Sequence, residues 1–153
     1  MKRGACAVLA VLFVLGIGCA AWASVVEDDA KALAEKGAAH VKAVGKEKGT
    51  ADIMDPKGEF KKGKLFLTLN DFSGVLLANP AFPGLVGQNH WNLKDPNGKY
   101  FIREAAEIAK TKGSGWLEYS FTNPDTKKIG PRKGWIQRVE GTDMFIMAPI
   151  VDK

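Results

Sequence analysis

The chain is poor in the side chains that perform covalent chemistry. It has only two cysteines and two histidines in 153 residues, and both cysteines, Cys6 and Cys19, fall within the first twenty positions. Beyond them there is no thiolate nucleophile, no thiolate metal ligand and no disulfide, so stability must come from packing. Its four serines, Ser24, Ser73, Ser114 and Ser120, all lie outside a Gly-x-Ser-x-Gly elbow. His40 and His90 have no visible partner for general acid–base work. Glu104 and Glu107 have the spacing of a helix's wet face rather than of a catalytic pair. The sequence therefore argues against an enzyme.

Metal and phosphate motifs are equally thin. Asp95-Pro96-Asn97-Gly98 has the start of a calcium loop, but its twelfth position is Ala106 where a bidentate Glu is required. It reads as a turn, with Gly98 supplying the positive φ. Gly113-Ser114-Gly115 is a lone small-residue cluster of the kind that caps a helix. No cofactor or metal is expected.

Lys2 and Arg3 precede an uncharged apolar run that ends in Ala21-Trp22-Ala23 before Ser24. A positive n-region, an apolar core and a small-x-small site predict a signal peptide over residues 1–23, cleaved near Ala23-Ser24. The competing lipoprotein reading at Cys19 is weaker, because Gly16-Ile17-Gly18 lacks the usual leucine. Cleavage leaves about 130 residues, one domain over 24–153, large enough to bury a core without staples. It also removes Lys2 and Arg3 from a formal net charge of +5. An exported, mildly basic chain is a poor candidate for nucleic acid, and no membrane span is expected after cleavage. The expected location is periplasmic or secreted.

In the mature chain, Val26, Ala30, Leu33, Gly37, Val41 and Val44 recur at helical spacing through Ser24–Lys48. Thr50–Lys64 reads as a polar connector. Leu65–Leu69 and Val75–Ala78 read as a hairpin turning at Asn70–Gly74. Residues 79–98 form a long loop that nevertheless carries Phe82, Leu85, Val86, Trp91 and Leu93. Loops of that length are often functional, and this apolar content predicts that it packs down as a cover. A helix follows over Lys99–Lys112, with Phe101, Ile102, Ala105, Ile108 and Ala109 on one face. Three strands close the chain: Gly115–Phe121, Gly134–Val139, and MFIMAPIV from Met144. Helices interrupting an antiparallel meander predict an α+β fold.

The informative stretch is GWLEYSFTNPDTKKIGPRKGWIQRV, from Gly115 to Val139, with Arg132 and Lys133 beside an aromatic hairpin. Alternation puts Leu117, Tyr119 and Phe121 on one face and Trp116, Glu118 and Ser120 on the other. Trp135, Gln137 and Val139 likewise oppose Ile136 and Arg138. Aromatics on both faces imply that both are covered, one by the long helix and one by the loop and second helix. Such a hairpin fits an ordinary core with cationic strand ends, or a small-ligand pocket in which a guanidinium grips a carboxylate. Spacing alone does not choose between them.

Four blocks resemble, in order, those of the single Cache domain, second type: LTLNDFSGVLLANPAFPGLVGQN, LKDPNGKYFIREAAEIAKTKGSGWLEYSF, TNPDTKKIGPRKGWIQRV and GTDMFIMAPIV. The resemblance spans roughly Asp55 to Val151. It implies a long N-terminal helix on a PAS-like antiparallel sheet of about five strands, with the loop and second helix covering the ligand face. It implies an extracytoplasmic, non-catalytic sensor module binding a small organic anion of the acetate, propionate, pyruvate or lactate class. The aspartate before the first turn glycine matches Asp71, and the tyrosine of the Gly-aromatic-x-x-Tyr strand matches Tyr119. The lysine after the family's proline falls on Arg132, the following tyrosine is Trp135, and a histidine before proline is replaced by Asn79.

The expected ligand set is therefore Arg132 for the carboxylate, Tyr119 and Asn79 for hydrogen bonds, Phe121, Trp135 and Trp91 as walls or lid, and Asp71. A membrane receptor or kinase is the expected partner. The alternative reading is a non-catalytic periplasmic interaction module with a degenerate pocket, acting through such a receptor.

Overall fold

The computed structural model describes residues 18–151, with side chains from residue 26. Most of the expected signal peptide, residues 1–17, lies outside the described residues. Two helices open the fold, α1 (Gly18–Val44) and α2 (Lys46–Met54). Ala30, Leu33, Ala34, Ala38 and Val41 are the buried stripe of α1, and the charged residues between them are exposed. Gly45, at φ 86°, breaks the helix and its N–H still closes on the Val41 carbonyl.

α2 takes in the end of the helix expected over Ser24–Lys48 and the first residues, Thr50–Met54, of the polar connector expected over Thr50–Lys64. The sequence conceals it because Gly49 is a poor helix former; here Gly49 is needed for contact. A Cβ at Gly49 would lie 2.9 Å from Val41 Cγ2, so α2 packs directly on α1 and buries Ile53. The His40 Nε2–H donates to the Asp52 carboxylate at 2.7 Å, tying the two helices together. The imidazole also rests on Phe60, with ring centres 5.0 Å apart.

A two-residue hairpin, β1 (Lys61–Lys62) and β2 (Leu65–Phe66), leads into the main sheet. Its strands are β3 (Thr68–Asp71), β4 (Leu76–Ala78), β5 (Ser114–Thr122), β6 (Ile129–Val139) and β7 (Met144–Ile150). The order is β4-β3-β7-β6-β5, with every neighbouring pair antiparallel. A third helix, α3 (Phe101–Thr111), follows the long loop, which contains one short 3-10 turn at Pro83–Leu85. The α+β architecture with a PAS-like five-stranded sheet is as the sequence implied.

Period-two alternation divides the sheet between two cores. Met144, Ile146 and Ala148 of β7 face α1 and α2, together with Leu67, Leu69, Ala78 and Val139. Phe145 and Met147 face the other way, with Leu117, Tyr119 and Ile136, and are covered by Phe101, Ile102, Ala105, Ala106 and Ala109 of α3. A register shift opposite Leu69 and Asn70 makes Leu77 the extra residue of a β-bulge. Leu76 and Ala78 therefore serve opposite faces despite their spacing of two. No helix among the described residues is long and apolar enough to cross a membrane.

Candidate functional site

The covered face beneath α3 and the loop encloses a cavity of about 40 Å³. Sheet residues Thr68, Asn70, Leu76, Tyr119, Phe121, Arg132, Met147 and Pro149 form its floor, with Phe66 at the side. The loop contributes Asn79, Phe82, Leu85, His90 and Leu93, and α3 contributes Phe101 and Ile102. The loop of residues 79–98 is thus a cover, as its apolar content predicted.

Arg132 is the only cationic side chain in this lining that is charged at all physiological pH, and Asp and Glu are absent from it. It is 6% exposed and sits in β6 directly opposite Tyr119 of β5. One Nη2–H donates to the Thr122 carbonyl, and the guanidinium lies 5.6 Å from the Phe121 ring centre. It makes no ion pair with any described carboxylate. Burial pulls its pKa below the ordinary arginine value, while the Tyr119 hydroxyl beside it acts in the opposite sense.

Tyr119 is buried and stacks on Phe101 with ring centres 4.9 Å apart. Its burial pushes the phenol up to about 12, against the lowering influence of Arg132, so it stays protonated as a hydrogen-bond donor. Burial lowers the His90 pKa, which favours a neutral imidazole able to donate at one nitrogen and accept at the other. Asn79 Oδ1 accepts from the N–H groups of Ala81 and Phe82 at 3.1 and 3.0 Å. Its carbonyl is thereby committed to holding the turn, and only its amide nitrogen is left for the cavity.

Arg132, Tyr119, Asn79 and Phe121 are brought together; three other expected residues are not. Trp135 lies on the α1 face of β6, edge-on to Trp116 at 5.1 Å and beneath Lys31. The strand already runs regularly from Ile129, so the odd spacing from Arg132 to Trp135 sends them to opposite faces. Trp91 packs outside the cavity against α3: the Arg103 Nε–H donates to its carbonyl at 2.8 Å, and the guanidinium lies 5.6 Å from its ring.

Asp71 also stands outside the cavity. Its Oδ1 accepts from Ser73 N–H, Ser73 Oγ–H and Val75 N–H at 2.9, 2.6 and 2.9 Å, fixing the β3–β4 turn. That turn contains Gly74 at φ 94°, where a Cβ would meet the Trp91 backbone nitrogen at 2.9 Å. The His90 N–H bonds the Gly74 carbonyl at 2.8 Å, so Asp71 seats the cover without touching what it covers.

Thr68 and Asn70 were missed as cavity residues. Their signal was present: two polar side chains at a spacing of two in the otherwise apolar LFLTLN strand must share a face. Arg132 and Tyr119 also border an outer cleft of about 460 Å³ between β5–β6 and Asp95–Lys99, which places the guanidinium at the partition between cavity and solvent side. Among the described residues no group of three His, Cys, Asp or Glu side chains is placed to hold a metal.

The profile of the single Cache domain 2 family matches residues 26–151. Solved structures of the same fold include a periplasmic sensor domain of a chemotaxis protein. It is 18% identical, with 87% of this chain and 94% of that one covered and a TM-score of 0.67. A methyl-accepting chemotaxis protein from Vibrio parahaemolyticus RIMD 2210633 is 17% identical, with 86% and 92% covered and a TM-score of 0.71. A Cache chemosensory domain studied for carboxylic acid recognition is 15% identical, with 90% and 100% covered and a TM-score of 0.71. At these identities the likeness to each is one of fold. The profile spans both helical layers and all five strands of the sheet, and on that match the chain belongs to the single Cache domain 2 family of sensor domains.

Proposed function

We propose that this chain is an exported sensor domain that binds a short-chain organic acid, with Arg132 holding the carboxylate. The observation that carries the reading is a buried guanidinium in a cavity lined by no acid. Burying a charge without a partner is costly, and a carboxylate ligand supplies both the counterion and two acceptors for parallel hydrogen bonds. Tyr119 and the Asn79 amide nitrogen donate further hydrogen bonds, and Phe101 and Phe121 form apolar walls. A cavity of about 40 Å³ has room for roughly three water-sized groups, which suits an acid of two or three carbons.

A periplasmic location is supported by the signal peptide expected over residues 1–23 and by the likeness of the fold to a periplasmic sensor domain. The domain then passes its state to a membrane receptor or kinase. Closure of the loop of residues 79–98 over the acid is the change such a partner would read.

The test is calorimetric titration with acetate, propionate, pyruvate and lactate at fixed ionic strength, in wild type and Arg132→Met. Wild type binds at least one of them, and saturation near a hundred times its Kd stabilises the fold by about 2.7 kcal/mol. Arg132→Met abolishes binding. If the wild type binds none of the four, or Arg132→Met binds as wild type does, the reading fails.

A further inference from the structure

We infer that one end of the molecule, where two lysine-rich hairpin tips meet, docks on an anionic phospholipid bilayer. The inference is independent of the acid reading of Arg132.

One tip is Lys61-Lys62-Gly63-Lys64, the β1–β2 turn, and the other is residues 123–130, with Asp125, Lys127, Lys128 and Ile129. Lys64 Nζ and Asp125 Oδ2 stand 3.7 Å apart across the gap between them. In the sheet register Thr68 lies opposite Met147 and Lys133 opposite Ile150, so both tips project beyond the end of β7. α1 starts from this end as well. Lys133 Nζ–H donates to Glu27 at 2.7 Å and Lys31 lies over Trp135, so the helix runs along β6 away from the tips.

Five lysines thus gather at one end against one aspartate, and neither tip contains an arginine. All five are exposed, and among the described residues only Lys64 has an ion pair. Exposed lysines alone are ordinary surface, but two observations set these apart. Ile129, next to Lys128, is 62% exposed, the most exposed large hydrophobic side chain among the described residues. Lys127 takes φ 60°, a left-handed conformation whose usual occupant is glycine or asparagine. Its N–H closes the turn on the Asn123 carbonyl at 2.9 Å. A lysine held in a disfavoured conformation two residues from an apolar side chain left in water serves something outside the fold.

The chemistry of that partner follows from the side chains. Lysine presents a compact charge on a flexible stem, which suits a diffuse anionic field, whereas discrete carboxylates on a protein are better gripped by the planar fork of arginine. Ile129 adds a need for an apolar phase directly behind the negative charge. A bilayer meets both: its headgroups attract the lysines and the headgroup–acyl boundary takes up the isoleucine. Docking here holds the domain in the plane of the membrane receptor or kinase proposed as its partner.

Residues 24–153 contain both cores, and this domain is tested without the apolar run before it, which would bind lipid by itself. Vesicles of phosphatidylcholine alone, and with about a third of phosphatidylglycerol, are sedimented with the domain. The expected partitioning onto the anionic vesicles is at least about tenfold that onto phosphatidylcholine, and it is lost as salt rises from about 0.05 M to about 0.5 M. Lys127→Glu combined with Lys128→Glu weakens it by about tenfold or more, and Ile129→Ser by about threefold or more. Lys42→Glu combined with Lys46→Glu makes the same charge change at exposed positions by the far end of α1, and has a much smaller effect. Equal losses in the two double variants, or wild-type binding by Ile129→Ser, overturn the inference. So does equal partitioning onto the two kinds of vesicle, or none onto either. Retention on polyglutamate without partitioning onto vesicles assigns the tips to an acidic protein and overturns it too. The wild-type series decides alone if the variants fold poorly.

Discussion

A guanidinium gives up its hydration on burial, and Arg132 recovers part of it from the Thr122 carbonyl, the Tyr119 hydroxyl and the Phe121 face. None of these carries a negative charge, and the ligand-free domain therefore bears an electrostatic cost that an acid relieves. Replacing a buried charge by an apolar side chain of similar volume is often neutral or stabilising. Arg132→Met is accordingly expected to melt at or above the wild-type temperature without ligand while losing all stabilisation by added acid; scanning fluorimetry with and without acid checks both halves. Arg132→Lys keeps the charge but not the planar fork and weakens binding by about tenfold or more. At this scale the sequence was partly legible. Alternation put Tyr119 and Phe121 on one face, and it was the resemblance that singled out Tyr119 and Arg132. Trp135 was misplaced because the resemblance put it in the pocket against strand parity, and Thr68 and Asn70 were missed although their spacing of two puts both on one face.

Between elements, the decisive contacts are those that only glycine permits. A Cβ at Gly37 of α1 would come within 2.3 Å of Leu67 Cδ1, and Leu67 is fully buried and has nowhere to move. Gly37→Ala should therefore destabilise the domain by roughly 1–3 kcal/mol, although alanine is the better helix former. Urea denaturation measures this, and a stabilised Gly37→Ala would show that α1 does not press on the sheet so closely. The periodicity of α1 and α3 made both helices readable. α2 was not, because its glycine is explained by a contact with Val41 that lies outside any local pattern. The loop of residues 79–98 was read correctly as a cover, but which of its side chains face inward depends on its turns: His90 and Leu93 do, and Trp91 between them does not.

Over the whole molecule, carboxylates make stability depend on acid pH. The His40 and Lys48 hydrogen bonds hold Asp52 below the ordinary carboxylate value of 3.8, and Lys36 holds Glu59 below 4.5. Asp95 is raised by its burial but lowered further by the N–H groups of Lys99, Ser120 and Asn97, with a net downward shift. A lowered folded pKa stabilises the fold above the unfolded value and ceases to do so as pH falls through the folded one. Stability in urea should thus begin to fall below about pH 6.5, where the unfolded chain takes up a proton at His90 that burial keeps off it in the fold. It should decline further below about pH 4 as these carboxylates are protonated. Asp52→Asn should flatten that decline; an unchanged acid limb would remove Asp52 from the account. The fold class, its strand order apart, was legible because two cores on two faces of one sheet demand alternation in every strand. The face that holds the cavity was implied by the resemblance, but its size was not, because about 40 Å³ of space belongs to no residue.

The central claim is that the Arg132 guanidinium grips a carboxylate inside the covered face of the sheet. A crystal structure of the domain grown with lactate tests it most directly. The account predicts both carboxylate oxygens at about 2.7–2.9 Å from the Arg132 guanidinium nitrogens. An empty cavity at saturating lactate, or lactate bound only in the outer cleft, would contradict it.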